Sequence, residues 1–177
     1  WCAVFVDRLD AGRRLALKVR GLLADTDIVV LGIPRGGVPV AYEVASALAL
    51  PLDVLVVRKL GLPSQPELAM GAIASGGAIV LNRDVLRYLQ GGDDALESVR
   101  ARETVELLRR ERQYRGNLPP LAMSGRTAIV VDDGLATGAT MEAAVRSLTA
   151  LGAKRIIVAV PVASVEARER IEALADE

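Results

Sequence analysis

Residues 129–140 read Ile-Val-Val-Asp-Asp-Gly-Leu-Ala-Thr-Gly-Ala-Thr. Three β-branched residues run into two adjacent acids. A stretch of small residues then leads into Met141, Ala144, Val145, Leu148 and Leu151, which share one helical face. The pattern is a strand, a turn of minimal side chains and a helix. Gly134, Ala136, Gly138 and Ala139 leave backbone N–H groups uncovered, and Thr137 and Thr140 add hydroxyls. With the positive end of the following helix they make a cradle for phosphate. Asp132 and Asp133, just ahead of it, can accept hydrogen bonds from two vicinal hydroxyls. A cradle one sugar-length from a pair of acceptors describes a site for ribose 5-phosphate. Asp-Asp-Gly alone would suit an ordinary capped turn; the whole twelve-residue string asks for more.

Working outward, the strand has companions. Asp27–Ile33, Asp53–Val57 and Arg155–Val160 are apolar nearly throughout, like Thr127–Val131, which suits strands covered on both faces in a parallel sheet. Helical patterns lie between them, one carrying Leu15, Val19, Leu22 and Leu23 on a single face, and Gly152 is a plausible stop for the helix after Thr140. The expected fold is α/β, with a central, mainly parallel sheet flanked by helices. Ligands of such sheets sit at the carboxyl ends of the strands, where residues 132–140 fall.

The middle of the chain breaks the alternation. Arg58–Gly71 holds Pro63, Pro66 and two glycines and reads as an exposed loop. Ala72–Ser75 and Ala78–Leu81 flank Gly76-Gly77 as a β-hairpin. A charged helix is expected from Asp94 to Tyr114, supported by Glu106 and Arg110 four apart and ended by Asn117–Pro120, and it reads as largely solvated. The length, 177 residues, and the lack of repeats or linkers point to one domain over 1–177.

Composition excludes several chemistries. With no histidine and one cysteine there is no Ser-His-Asp triad, Cys-His pair, His-bound zinc or Cys-x-x-Cys centre. Equal numbers of acidic and basic residues give no electrostatic case for nucleic acid or an anionic membrane. No apolar run approaches the roughly 18 residues of a membrane span. The start, Trp1-Cys2-Ala3-Val4, has no signal-peptide pattern and reads as a trimmed N-terminus, so a cytoplasmic location is expected. Gly134 and Gly138 enclose three residues rather than the four of a Walker A loop, and no Gly-x-Gly-x-x-Gly is present.

Residues 129–140 resemble the phosphoribosyl-pyrophosphate (PRPP) signature of type I phosphoribosyltransferases. A second segment, Gly32–Val38 (GIPRGGV), is similar to that family's pyrophosphate loop, with Arg35 beside Gly36 and Gly37. The resemblance implies a type I phosphoribosyltransferase fold with a small hood or flexible β-hairpin, the hood drawn from the hairpin near Gly76 and the N-terminal segment. It implies transfer of ribose 5-phosphate from PRPP to a nitrogen nucleophile, with release of pyrophosphate and a requirement for Mg2+. On it, Asp132 and Asp133 bind the ribose hydroxyls, Gly134, Leu135, Ala136, Thr137, Gly138, Ala139 and Thr140 the 5-phosphate, and Arg35, Gly36 and Gly37 the pyrophosphate. Arg58 and Lys59 stand where the family's mobile, basic loop begins, and Glu67 is the carboxylate of that loop, a candidate base. Magnesium would be carried mainly by PRPP, near Asp132 or Asp133, with no direct protein cluster. The Arg35–Gly36 peptide is the one expected to be cis.

The wider pattern (an early Asp-Arg, Pro-Arg-Gly-Gly, Arg-Lys-Leu-Gly, Tyr-Arg-Gly, Asp-Asp-Gly-Leu-Ala-Thr-Gly) looks like a bacterial phosphoribosyltransferase-like group of unsettled acceptor, whose chains usually continue past the equivalent of Glu177. Ala136 replaces the Asp that hypoxanthine-guanine enzymes carry. The expected partners are PRPP, a small-molecule acceptor and a second copy of the chain, with neither membrane nor nucleic acid. The alternative is a non-catalytic PRPP or nucleotide sensor on the same fold. Arg109, Arg110, Arg112 and Arg115 read as a solvated helix face balanced by Glu103, Glu106 and Glu111, and Tyr42, Tyr88 and Tyr114 as packing residues.

Overall fold

The computed structural model describes residues 5–66, 68–88 and 92–177, apart from the side chains of residues 92 and 93. In chain order the first half forms α1 (Arg8–Arg20), β1 (Ile28–Gly32), α2 (Gly37–Leu48), β2 (Leu52–Val54), β3 (Val57–Gly61), β4 (Ala69–Ala74) and β5 (Ala78–Leu81). Then follow α3 (Arg83–Arg87), α4 (Gly92–Arg115), β6 (Thr127–Val131), α5 (Ala139–Ala150), β7 (Arg155–Ala159) and α6 (Val165–Glu172).

The main sheet has the order β2-β1-β6-β7 and is parallel throughout. Every residue of β1 and β6 is buried, which is why both read as unbroken apolar runs. On one face Val30, Ile129 and Ile157 pack with Val19 of α1 and Val40 and Val44 of α2. On the other, Leu31, Val130 and Ile156 pack with Met141, Val145 and Leu148 of α5 and Ile171 of α6. Gly32 pairs with Val131, so the two central strands end level and their following loops lie side by side. That register creates the site.

The second sheet, β3-β4-β5, is antiparallel. The hairpin expected around Gly76-Gly77 is β4–β5, with Ser75–Gly77 as a 3-10 turn and both glycines at positive φ. Two expectations need correction. The run Asp53–Val57 divides between sheets, because β2 ends at Val54 and β3 begins at Val57. Residues 58–61 and 69–71 are strand rather than loop, since Leu60 and Met70 bury beside Val54 and Ile73. The N-terminal segment also differs from the expected hood: from Arg8 onward it packs on α2, where Gly12 lets the helices meet closely. A Cβ there would come within 2.8 Å of the Val40 carbonyl.

The helix α4 is less solvated than its charge suggests. Val99 and Leu107 join Leu60 and Ile73 in a third core, and Glu103 and Arg115 are buried with them. The buried charges are paired. Arg115 Nε and Nη2 donate to Asp53 at 2.7 and 2.9 Å, and Arg58 Nε and Nη2 donate to Glu103 Oε2 at 2.8 and 2.6 Å. Of the tyrosines expected to pack, only Tyr114 does so; Tyr42 is 58% and Tyr88 88% exposed.

Candidate functional site

Two helices in the fold begin directly after the central strands, α2 after β1 and α5 after β6. Neither has a side-chain cap: Gly36 and Gly138 stand at the cap positions. By contrast Asp7, Asn82 and Ser164 cap α1, α3 and α6 with side-chain oxygens. In the loop before α5, the N–H groups of Asp133, Leu135 and Ala139 bond to Asp132 Oδ1, the Val162 carbonyl and Thr137 Oγ1. Those of Ala136, Thr137, Gly138 and Thr140 make no such bond among the described residues. Residues 134–140 therefore present unspent donors at a helix N-terminus, which is what an anion needs.

Three contacts brace that loop from behind. Ser164 Oγ donates to the Ala136 carbonyl at 2.8 Å, Arg170 Nη1 donates to the Thr137 carbonyl at 3.3 Å, and Gly138, at φ +75°, lies against Ala167. Loop conformation is thus fixed by α6, from outside the twelve-residue string.

The loop after β1 lies against the acids. A Cβ at Gly37 would fall 2.5 Å from the Val131 carbonyl oxygen, and one at Gly36 would overlap the Asp133 carboxylate. The glycine pair is required here for close packing on β6, besides any closeness to phosphate. The cis peptide is Pro34–Arg35, one bond earlier than expected from Arg35–Gly36. Gly36 itself has ordinary helical angles.

Burial pushes the Asp132 carboxyl up to about 6; the N–H of Asp133 opposes this and the neighbouring Asp133 charge adds to it. Asp133 is partly exposed and accepts from Arg8, whose Nε and Nη2 both donate to Oδ2 at 2.9 and 2.7 Å. A cavity of about 360 Å3 opens beside these loops, between Pro34, Thr140, β3 and α4. Three cations line it: Arg58, Lys59 and Arg110. Arg58 is held by Glu103, and Arg110 by Glu106 at 2.8 Å. Lys59 and Arg35 are exposed and make no ion pair among the described residues. A larger cavity, about 500 Å3, shares Lys59 and lies between β4, β5 and α5, with Arg83, Asp84, Glu142 and Arg146 on its walls. Among the described residues, no aromatic ring lines either cavity.

The structure thus gathers Gly36, Gly37, Asp132 and Asp133 at one point, with residues 134–140 continuing from it and Arg58 and Lys59 facing the adjoining cavity. Glu67 lies outside the described residues. Sequence reasoning missed Arg8, Arg110, Ser164 and Arg170. Arg110 stood only in a charged helix, and Arg8 only in an early Asp-Arg pair with no role attached to it. No group of three or more acidic or cysteine side chains gathers as a metal site among the described residues.

These features define an α/β protein with two glycine-containing loops on neighbouring strand ends and a pair of acids beside them. Residues 6–177 match the phosphoribosyl transferase domain, and the chain belongs to that family. It is 48% identical over 174 residues to a Mycobacterium tuberculosis protein provisionally named a phosphoribosyl transferase. The match takes in 98% of this chain and 39% of that relative, so the chain spans about two fifths of the relative's length. A crystal structure of a Thermus thermophilus protein superposes with a TM-score of 0.86 at 48% identity, over 97% of this chain and 81% of that one. A purine phosphoribosyltransferase from Pyrococcus horikoshii shares the fold, with a TM-score of 0.51 at 20% identity over 90% of this chain and 74% of its own.

Proposed function

We propose that the chain transfers ribose 5-phosphate from PRPP to a nitrogen nucleophile and releases pyrophosphate. The observation that carries this reading is the contact of Gly36 and Gly37 with Asp132 and Asp133, which joins two phosphate-type loops into one site. Residues 134–140 hold the 5-phosphate through backbone N–H groups and the hydroxyls of Thr137 and Thr140. Asp132 and Asp133 accept from the ribose hydroxyls and fix the sugar.

The C1–O bond to pyrophosphate breaks with its electron pair leaving on pyrophosphate. The acceptor nitrogen forms the new C1–N bond and gives up its proton. Arg35, together with Lys59 from the wall of the cavity beside Pro34, stabilises the charge that develops on the leaving group, and Arg58 lies next to Lys59 on the same wall. Glu67 is the carboxylate proposed to take the proton. Asp132 and Asp133 offer hard oxygens for Mg2+, but no third acid among the described residues stands with them, so the donor's oxygens and water would complete the shell. When bound, the ion supplies neutralisation of the departing pyrophosphate. The acceptor is a nucleobase or related small amine, and a lining that has no aromatic ring among the described residues favours one held by polar contacts over one held by stacking.

The test is pyrophosphate release from PRPP and Mg2+ across purine, pyrimidine and small-amine acceptors. Release that depends on one acceptor class is expected. Tight PRPP binding without turnover of any acceptor would replace the enzyme by a PRPP or nucleotide sensor.

A further inference from the structure

Two adjacent carboxylates are an unfavourable place to bring a polyanion, and Arg8 bears on how the site tolerates one. Its guanidinium puts two N–H donors on a single oxygen of Asp133, and that oxygen lies over Gly36, in the loop that also carries Arg35. The cation therefore holds the carboxylate oxygen that faces the loop expected to bind the diphosphate. Its side chain is 60% exposed, that of Asp133 33%.

This pair is not needed to hold α1. Ala11, Ala16 and Val19 are buried, Gly12 meets α2 closely, Arg13 pairs with Glu43 at 2.9 Å and Arg20 donates to the Ala47 carbonyl at 3.0 Å. An exposed ion pair adds little stability in any case. Its placement has a different consequence, because a ribose hydroxyl that donates to Asp133 Oδ2 competes with Arg8 for the same lone pairs.

We propose that Arg8 is a donor-selecting residue. It occupies Asp133 until a ligand arrives that both donates to that carboxylate and offers the guanidinium an anionic partner in exchange. PRPP has a diphosphate at C1, next to the hydroxyl-bearing carbons, and meets both conditions. Ribose 5-phosphate meets only the first, so it must displace Arg8 with nothing given back. The residue selects the activated donor over the spent sugar phosphate by exchanging partners. This inference rests on the PRPP reading above.

The experiment is calorimetric titration of PRPP and of ribose 5-phosphate, each with Mg2+, into the wild type, Arg8→Ala and Arg8→Lys. Arg8→Ala is expected to bind ribose 5-phosphate more tightly and PRPP more weakly, each by about two- to fivefold, the scale of an exposed ion pair. Arg8→Lys keeps the charge without the two-donor fork and should fall between. Parallel changes for both ligands, or none, in an Arg8→Ala protein of unchanged circular dichroism would overturn the role of Arg8 and leave the PRPP site standing. Failure of the wild type to bind PRPP would overturn the PRPP reading itself, and the selection with it.

Discussion

Asp132 is the residue at which function and stability oppose each other. Its carboxyl is half-buried beside Asp133 and pushed up to about 6. A raised value in the folded chain means that its contribution to stability is full below the ordinary carboxylate value, about 3.9, and is lost as pH rises through 6. At pH 8 the ionised carboxylate therefore weakens the fold. Asp132→Asn keeps an oxygen for the Asp133 N–H and removes the charge, so it should stabilise the ligand-free protein at pH 8 by roughly 1–2 kcal/mol. The gain should vanish near pH 4. The same variant should bind PRPP less well, because the ribose hydroxyls need an acceptor and the Asn amide nitrogen is a donor. Thermal melts at the two pH values and a PRPP titration check both halves. A variant less stable at pH 8 would show that Asp132 is ionised without cost in the fold.

At the scale of elements, α4 and β2 are held together by charge rather than by apolar contact alone. The Arg115 side chain is 6% exposed, and besides Asp53 it donates to the Pro119 carbonyl at 2.8 Å. Asp53→Ala leaves a buried cation short of its carboxylate and should destabilise the chain by about 3 kcal/mol or more, read from the midpoint of urea unfolding. An unchanged midpoint would mean that α4 docks through Val99 and Leu107 by themselves. The same pair explains what the sequence hid. Strands β1 and β6 were legible because both faces are covered and nearly every position had to be apolar, and β7 because three of its five positions are buried. By contrast, Pro63, Pro66 and two glycines disguised β3 and the start of β4 as a loop, and Glu103 and Arg115 disguised the buried side of α4 as solvent-facing, because paired charges can be buried where a pattern of apolar residues expects none. The two small-residue loops were legible as turns at strand ends because small residues and strand ends are local features. Arg8 was not, since it reaches Asp133 across 125 residues of sequence.

For the whole molecule, the parallel sheet sets two strand ends level, and the second sheet with α4 brings three cations to the side of the same loops. No helix among the described residues is long and apolar enough to cross a membrane. On the proposed reading, donor recognition is spread over parts distant in sequence: α1 through Arg8, the two loops, β3 through Lys59, α4 through Arg110, and α6 behind the loop. The most direct measurement is titration of PRPP with Mg2+ into the wild type and into the double variant Asp132→Asn/Asp133→Asn, with circular dichroism as the check on folding. Saturable binding of one PRPP per chain by the wild type, and loss of at least about tenfold in affinity in a folded double variant, is the expected result. Equal affinity in the two proteins, or no binding by the wild type, would contradict a PRPP site between these two strands.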